Sequence, residues 1–323
     1  MRFALMAEPQ QGLAYAEILA LARTAEAAGF EAFLRSDHYA SFPGPSDLPT
    51  TDAWATLAGL ARDTVRIGLG SLVSPVTFRA PGELAKVAAT VDEMSGGRVE
   101  VGLGAGWNEL EHRRHGFAFP DLKTRFDMLE EQLAIIHGLW TGGPGWSYTG
   151  RFWQVDGALF VPVPSGGRQG RHPRIIVGGS AGGPRTARLA ATYADEYNHS
   201  RAAVDSVRAA FEGVRLACLA RGRNPDELTY SILVPAVVAT TEAEVGERVR
   251  ALVAAVGGDP GAGRAWLEER RDRMIVGTIE QAAGQIASYE RAGAGRIAFQ
   301  DLLPRDLDHV RDLGALAMAY GEG

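Results

Sequence analysis

Val65-Arg66-Ile67-Gly68-Leu69-Gly70-Ser71-Leu72-Val73 is an aliphatic, β-branched run that reads as a strand. Pro81–Glu93 follows, opened by a proline and helical in its apolar spacing. Gly96-Gly97-Arg98 then turns the chain into Val99-Glu100-Val101-Gly102-Leu103, a second strand. Strand, helix and strand in one short stretch make a parallel crossover unit.

The alternation extends in both directions. Upstream, Phe3–Ala7 reads as a strand and Ala14–Ala28 as a helix, with Ile18, Leu19, Ala22 and Ala25 on one face and Gly29 at its C-cap. Ala32–Ser36 is the next strand. Downstream, the strands are Arg174–Val177, a short one near Glu196–Asn198, Leu228–Ala239 and Arg296–Phe299. The helices are Leu122–Trp140, Pro184–Tyr193, Val204–Arg221, Glu242–Val256, Thr278–Ala292 and Asp306–Tyr320. Thr278 with Gln281 three residues on has the capping-box spacing. About eight strands, each preceding a helix, predict an α/β fold with a parallel sheet. Length and strand count favour a closed (β/α)8 TIM barrel over an open doubly wound sheet. The expectation is a single barrel domain over residues 1–323. Two Gly- and Pro-containing stretches, about 141–173 and 257–273, break the rhythm and are expected as insertions near the C-terminal mouth.

The 323 residues carry a net charge of −6, which points to neither a nucleic-acid nor a membrane partner. One cysteine, Cys218, excludes an intrachain disulfide and reads as an inert thiol on a helix, in keeping with a reducing, cytoplasmic location. The apolar run at Phe3–Ala7 is too short for a signal peptide, and no stretch reaches membrane-spanning length.

Three segments fall at strand ends, where a barrel keeps its chemistry. Ser36-Asp37-His38-Tyr39 offers an imidazole able to act as acid or base near neutral pH, with Asp37 to orient it or to hold a ligand. The alternative is a helix cap with an exposed histidine. Gly102-Leu103-Gly104-Ala105-Gly106-Trp107-Asn108-Glu109 fails the G-x-G-x-x-G dinucleotide pattern because Trp107 stands where glycine is needed. Its glycines would let backbone approach a flat ligand, or simply make a tight turn. Gly178-Gly179-Ser180-Ala181-Gly182-Gly183-Pro184-Arg185 leads into a helix N-terminus and reads as an anion site or a plain turn. Arg35, inside an apolar strand, calls for a buried carboxylate, with Glu8 and Glu100 as candidates. His112 and His115 lack the companions of a metal site. Trp107, Trp146 and Trp153 are expected in mouth loops, lining a pocket or packing beneath a loop.

Together these segments resemble the luciferase-like monooxygenase family, most closely its deazaflavin (coenzyme F420)-dependent branch. The resemblance rests on Ser36-Asp37-His38-Tyr39, Gly70–Pro75 with Arg79, Asp92-Glu93-Met94-Ser95-Gly96-Gly97-Arg98, Gly104–Glu109 with Glu111-His112, Gly178-Gly179-Ser180, Ala194–Asn198 and Val276-Gly277-Thr278. It implies a homodimeric barrel with the ring system at the C-terminal face and the cofactor's tail phosphate at Gly178, Gly179 and Ser180. Asp37 and Ser74 would contact the cofactor, His38 would act beside the hydride-transfer carbon, and Gly104, Ala105, Gly106 and Asn108 would wall the ring. Glu109 falls near a branch glutamate. Ser71 and Leu72 would form a cis peptide bond whose bulge supports the ring.

The activity so implied is hydride transfer between coenzyme F420 and a small organic substrate. The alternatives are an FMN-dependent monooxygenase served by a separate reductase, and a non-catalytic protein that binds F420 or flavin. The substrate is not readable.

Overall fold

The computed structural model describes residues 1–164, 172–179 and 183–321. In chain order its strands are β1 (Arg2–Ala7), β2 (Ala32–Arg35), β3 (Gly68–Pro75), β4 (Val99–Gly104), β5 (Trp146–Thr149), β6 (Gln154–Ala158), β7 (Arg174–Gly179), β8 (Glu196–Ser200), β9 (Thr229–Ala239), β10 (Ile275–Thr278) and β11 (Arg296–Asp301). The α-helices are α1 (Tyr15–Ala27), α2 (Ala53–Asp63), α3 (Pro81–Ser95), α4 (Glu109–His115), α5 (Leu122–Thr141), α6 (Pro184–Tyr193), α7 (Val204–Leu219), α8 (Glu242–Ala255), α9 (Gly263–Glu268), α10 (Ile279–Arg291) and α11 (Leu307–Gly321).

Hydrogen bonding runs β11-β1-β2-β3-β4-β7-β8-β9 and returns from β9 to β11, every pair parallel, so the sheet closes as the expected (β/α)8 barrel. Strand alternation divides the apolar residues between two sides. On β1, Phe3, Leu5 and Ala7 join the cluster shared with the helices, while Ala4 and Met6 point into the barrel. Met6, Leu34, Leu72, Ile176, Leu233 and Ala298 fill the interior, with Val73 packed against them.

Beneath that apolar plug, at the strand starts, lies an ion cluster. Arg296 bonds Glu100 at 2.7 Å and Glu196 at 2.9 Å, and Arg174 bonds Glu196 at 2.9 Å. Burial works to raise the Glu196 pKa, but the Arg296 and Arg174 charges outweigh it and hold the carboxyl below its ordinary value. The bottom of the barrel is closed by charge and the middle by hydrocarbon, so the strand ends at the top form the open mouth.

Every strand and helix expected from the sequence is present, and Thr278 with Gln281 forms the capping box opening α10. α2, α4, α9, β5, β6 and β10 come in addition. α2 had readable signals. Asp52 caps it by accepting from the Ala55 amide, and Trp54, Leu57, Leu60 and Ala61 follow at helical spacing on its buried face.

The two insertions lie at opposite ends. Of the segment 141–173, the described residues 141–164 follow the end of α5 and 172–173 precede the start of β7, so these belong to the strand-start end, not the mouth. Its β5–β6 hairpin lies along α5, where Glu131 accepts from the amides of Arg151, Phe152 and Trp153 at 2.7, 3.0 and 3.2 Å. The expectation that this stretch, with Trp146 and Trp153, flanks the mouth is corrected. In parallel barrels helix-to-strand loops lie opposite the active face. The segment 257–273 does lie by the mouth. α8 ends against Gly44 in the loop after β2, where a Cβ would meet the Ala255 carbonyl at 2.5 Å, and β10 pairs with the far end of β9.

Candidate active site

Just past β2, Asp37 is buried and its Oδ2 accepts from Ser74 Oγ at 2.7 Å and from Arg79 at 2.6 Å. Trp54 Nε1 donates to the same Ser74 oxygen at 3.1 Å, and Ser71 Oγ lies 3.1 Å from it. Arg79 reaches on to Asp52 and to the Tyr39 hydroxyl. Burial opposes the Arg79 charge, yet Asp37 and Asp52 more than offset it and raise the guanidinium pKa. This knot ties the ends of β2 and β3 together. Arg35 takes no part in an ion pair with Glu8 or Glu100, which corrects that expectation. Its guanidinium donates to the Ser36, Thr51 and Asp52 carbonyls and to Thr51 and Thr56 hydroxyls, while Glu8 bonds Gln10 and Gln300. Burial lowers the Arg35 pKa to about 10.

β3 slips its register against β4 between Ser71 and Ser74. The cis peptide bond lies inside this bulge at Leu72–Val73, one residue later than the expected Ser71–Leu72. The bulge explains the glycines around it. A Cβ on Gly104 would stand 2.7 Å from Val73 Cγ2, one on Gly178 2.9 Å from Val73 Cγ1, and one on Gly102 2.2 Å from the Ser71 carbonyl. The close approach these glycines allow is to the protein's own β3. Ala105 is half-buried against the core, and Gly106 turns the chain with φ +77°. Asn108 offers its carbonyl to His112 Nδ1 at 2.7 Å, so the Thr77 hydroxyl donates to His112 Nε2 at 2.6 Å.

His38 stands beside the mouth. Its Nδ1 lies 2.9 and 3.1 Å from the two oxygens of Glu111, which is buried and also accepts from the Tyr39 amide at 3.0 Å. The carboxylate fixes the tautomer, since Nδ1 must carry the proton and Nε2 is then the free lone pair. Phe42 and the exposed Trp107 pack edge-on to the imidazole, at centroid distances of 4.4 and 5.9 Å. Glu109, the candidate carried over by resemblance, is exposed and makes no bond to His38. Both glutamates lie in the first turn of α4, but side chains two apart on a helix point about 200° from each other, so only one faces inward.

At the end of β7, Gly179 is open, because a Cβ there would meet nothing within 4 Å. Ser180 lies outside the described residues. His199, register partner of Gly179 on β8, is buried with no bond to its Nε2. Burial lowers its pKa and so favours the neutral imidazole. Sequence reasoning passed over His199 and Glu111. Glu111 sits in the quoted Glu111-His112 pair, and a helical reading of Glu109–His115 would have put both on the inner face.

Among the described residues, no group of three or more His, Cys, Asp or Glu is placed to hold a metal, and no helix is long and apolar enough to cross a membrane.

A profile of the luciferase-like monooxygenase family matches residues 1–296. The chain belongs to this family. It is 33% identical over 207 residues to an F420-dependent glucose-6-phosphate dehydrogenase of Nakamurella multipartita, an alignment covering 61% of this chain and 55% of the relative. The chain thus spans about half the length of the curated relatives it matches. Among solved structures, an F420-dependent secondary alcohol dehydrogenase in complex with an F420-acetone adduct superposes with a TM-score of 0.80 at 21% identity, covering 99% of this chain and 98% of that one. A monooxygenase from Streptomyces bottropensis gives 0.79 at 23%, covering 99% and 100%. At such identities these two likenesses concern the fold.

Proposed function

We propose that this luciferase-like chain is an oxidoreductase that transfers a hydride between coenzyme F420 and a small organic substrate. The observation that carries it is the His38–Glu111 pair, a histidine with its tautomer set and its Nε2 free, at the rim of an apolar mouth. The similarity to the F420-dependent dehydrogenase supports the choice of cofactor.

The residues fit such a group. Leu72, Val73 and Leu233 offer an apolar floor for a flat ring. The gap over Gly179 and the unpartnered His199 Nε2 offer space and a polar atom for a tail. When bound, the deazaflavin supplies a carbon that accepts or gives a hydride. Gly178 and Gly179 would hold its tail, while Ser74 and Asp37 brace the wall of the mouth. Ser71, Gly104, Ala105, Gly106 and Asn108 shape that wall through the bulge and the turn after β4. His38 moves the proton. Neutral, its Nε2 takes the proton of a substrate hydroxyl as the carbonyl forms, and in reverse it returns that proton. Glu111 steadies the imidazolium by a charge-assisted bond.

A fluorescence titration with F420 and FMN tests the reading. The expected result is at least a tenfold preference for F420, about 1.4 kcal/mol. Equal or reversed affinities would move the chain to FMN-dependent monooxygenation. Tight F420 binding without turnover would make it a cofactor-binding protein.

A further inference from the structure

A cavity of about 440 Å³ opens between the loop after β2 and the 257–273 segment by the mouth. Its wall begins at Pro43, next in the chain to the Phe42 ring that packs on His38. Arg201, from the turn after β8, faces Arg270 and Arg273 from the segment by the mouth, and Trp266, Met274 and Leu302 supply apolar surface. No carboxylate and no side-chain amide is among the lining residues. Three guanidinium groups around one concavity repel one another, and an anion between them removes that repulsion. Among the described residues, Arg270 and Arg273 have only their chain neighbours Glu269 and Asp272 as carboxylate partners, in surface pairs that hold little.

Arg201 differs. Among the described residues it has no carboxylate partner, and it is the one non-glycine residue with a left-handed backbone, φ +54°. A residue with a Cβ stays in that conformation only where its surroundings enforce it. Its Nε donates to Gln300 Oε1 at 2.9 Å, and Gln300 is held in turn by Glu8. The anchoring leaves the two terminal nitrogens of the fork for a ligand.

A second cavity of about 590 Å³ meets the first at Pro43 and Leu302. Leu48, Ala255, Leu303 and Pro304 give it apolar surface, Arg305 and Asp306 line it in ion pairs with Glu17 and Arg248, and it also holds Gln11, whose buried Nε2 has no hydrogen-bond partner. Cations at one end, mostly hydrocarbon along the length and an unpartnered donor at the far end, beside charges already paired within the protein, describe an elongated ligand. A polyhydroxylated ligand needs acceptors and donors for each hydroxyl, and the side chains lining the first cavity supply no acceptor and no donor beyond the arginines and the Trp266 indole N–H.

We propose that the substrate of this chain is an amphipathic organic anion. Its charged group sits on Arg201, Arg270 and Arg273, and its apolar body runs along Trp266 and Leu302 toward Gln11. The proposal rests on the mouth being the hydride-transfer site, because it names the substrate of that site.

Calorimetric titration of the full chain, with and without F420, uses octanoate, octyl phosphate, 1-octanol and glucose 6-phosphate as probes. One of the two octyl anions is expected to bind at least tenfold more tightly than both 1-octanol and glucose 6-phosphate, and the preferred anion assigns the head group. Arg201→Gln weakens that anion about tenfold while F420 affinity and melting temperature stay unchanged. The Arg270→Gln/Arg273→Gln double variant does the same. Equal binding of 1-octanol overturns the anion subsite, and equal binding of glucose 6-phosphate overturns the apolar half. Unchanged anion affinity in both variants places the ligand elsewhere and overturns the proposal. Anion binding is read without turnover. Retained anion binding with no F420 binding therefore sinks the hydride-transfer reading and leaves the pocket, whereas the reverse result sinks the pocket alone.

Discussion

Replacing Glu111 by Gln keeps shape and removes charge at the one carboxylate that, among the described residues, touches His38. Its oxygens lie 2.9 and 3.1 Å from His38 Nδ1 and one lies 3.0 Å from the Tyr39 amide, all inside the protein. A carboxamide has one accepting oxygen. If that oxygen keeps His38, its NH2 faces the Tyr39 N–H, an unmade bond that costs about 1–3 kcal/mol of stability. The bond to His38 changes from charge-assisted, about 1.5–3 kcal/mol, to neutral, about 0.5–1.5 kcal/mol. The difference of about 1–1.5 kcal/mol falls on the step in which His38 carries the proton, so kcat drops about five- to twelvefold with KM little changed. His38→Ala drops kcat about 10²–10⁴-fold. Because Glu111 acts through His38, the double variant should be no slower than His38→Ala alone. The assay is steady-state reduction of F420 with each of the four proteins at equal cofactor occupancy. A Glu111→Gln enzyme of full kcat, or a double variant slower by the further factor, would refute the reasoning.

Other expectations follow from the same geometry. Gly179→Asp should abolish cofactor binding with the melting temperature intact, because its Cβ meets nothing within 4 Å yet its charge enters the place read as the phosphate's; retained affinity would put the phosphate elsewhere. Gly104→Ala should destabilise by about 1–3 kcal/mol through the 2.7 Å approach to Val73 Cγ2, and a Val73→Ala background should recover most of it in urea unfolding; an equal loss in both backgrounds would remove Val73 as the cause. Glu196 and Asp52 both have folded pKa values below their ordinary ones. The unfolded chain therefore takes up protons first, and the stability these groups contribute is present above about pH 4.5 and lost as pH falls through the depressed folded values. A thermal melt series should show that acid limb, smaller in Glu196→Gln; an identical limb in the variant would mean the buried cluster contributes nothing to it.

The barrel was legible because parallel strands buried on both faces leave plain apolar runs, and because caps such as Thr278 with Gln281 mark helix starts locally. His38 and Asp37 were legible as strand-end residues, and Ser74 through the family resemblance. Long-range contacts were not. Nothing local says that Gly102, Gly104 and Gly178 serve the β3 bulge, since their neighbours Ser71 and Val73 come from another strand. Glu111 over Glu109 depends on the rotational phase of a seven-residue helix that the sequence reading left unassigned. Arg35 satisfies itself with carbonyls and hydroxyls of the 51–56 stretch, and a rule that pairs buried arginine with carboxylate misses that solution. The described part of the 141–173 segment was misplaced because its composition reveals a long loop but not at which end of the barrel it lies.

Hydride transfer itself is the most direct test of the account. Protein loaded with F420 is mixed with a panel of hydroxylated octyl anions, short alcohols and sugar phosphates, and the chromophore of the oxidised cofactor is followed. At least one hydroxylated octyl anion is expected to bleach it, and His38→Ala at equal occupancy to do so about 10²–10⁴-fold more slowly. No bleaching by any compound, together with oxygen consumption when the same protein is given reduced FMN, would contradict it.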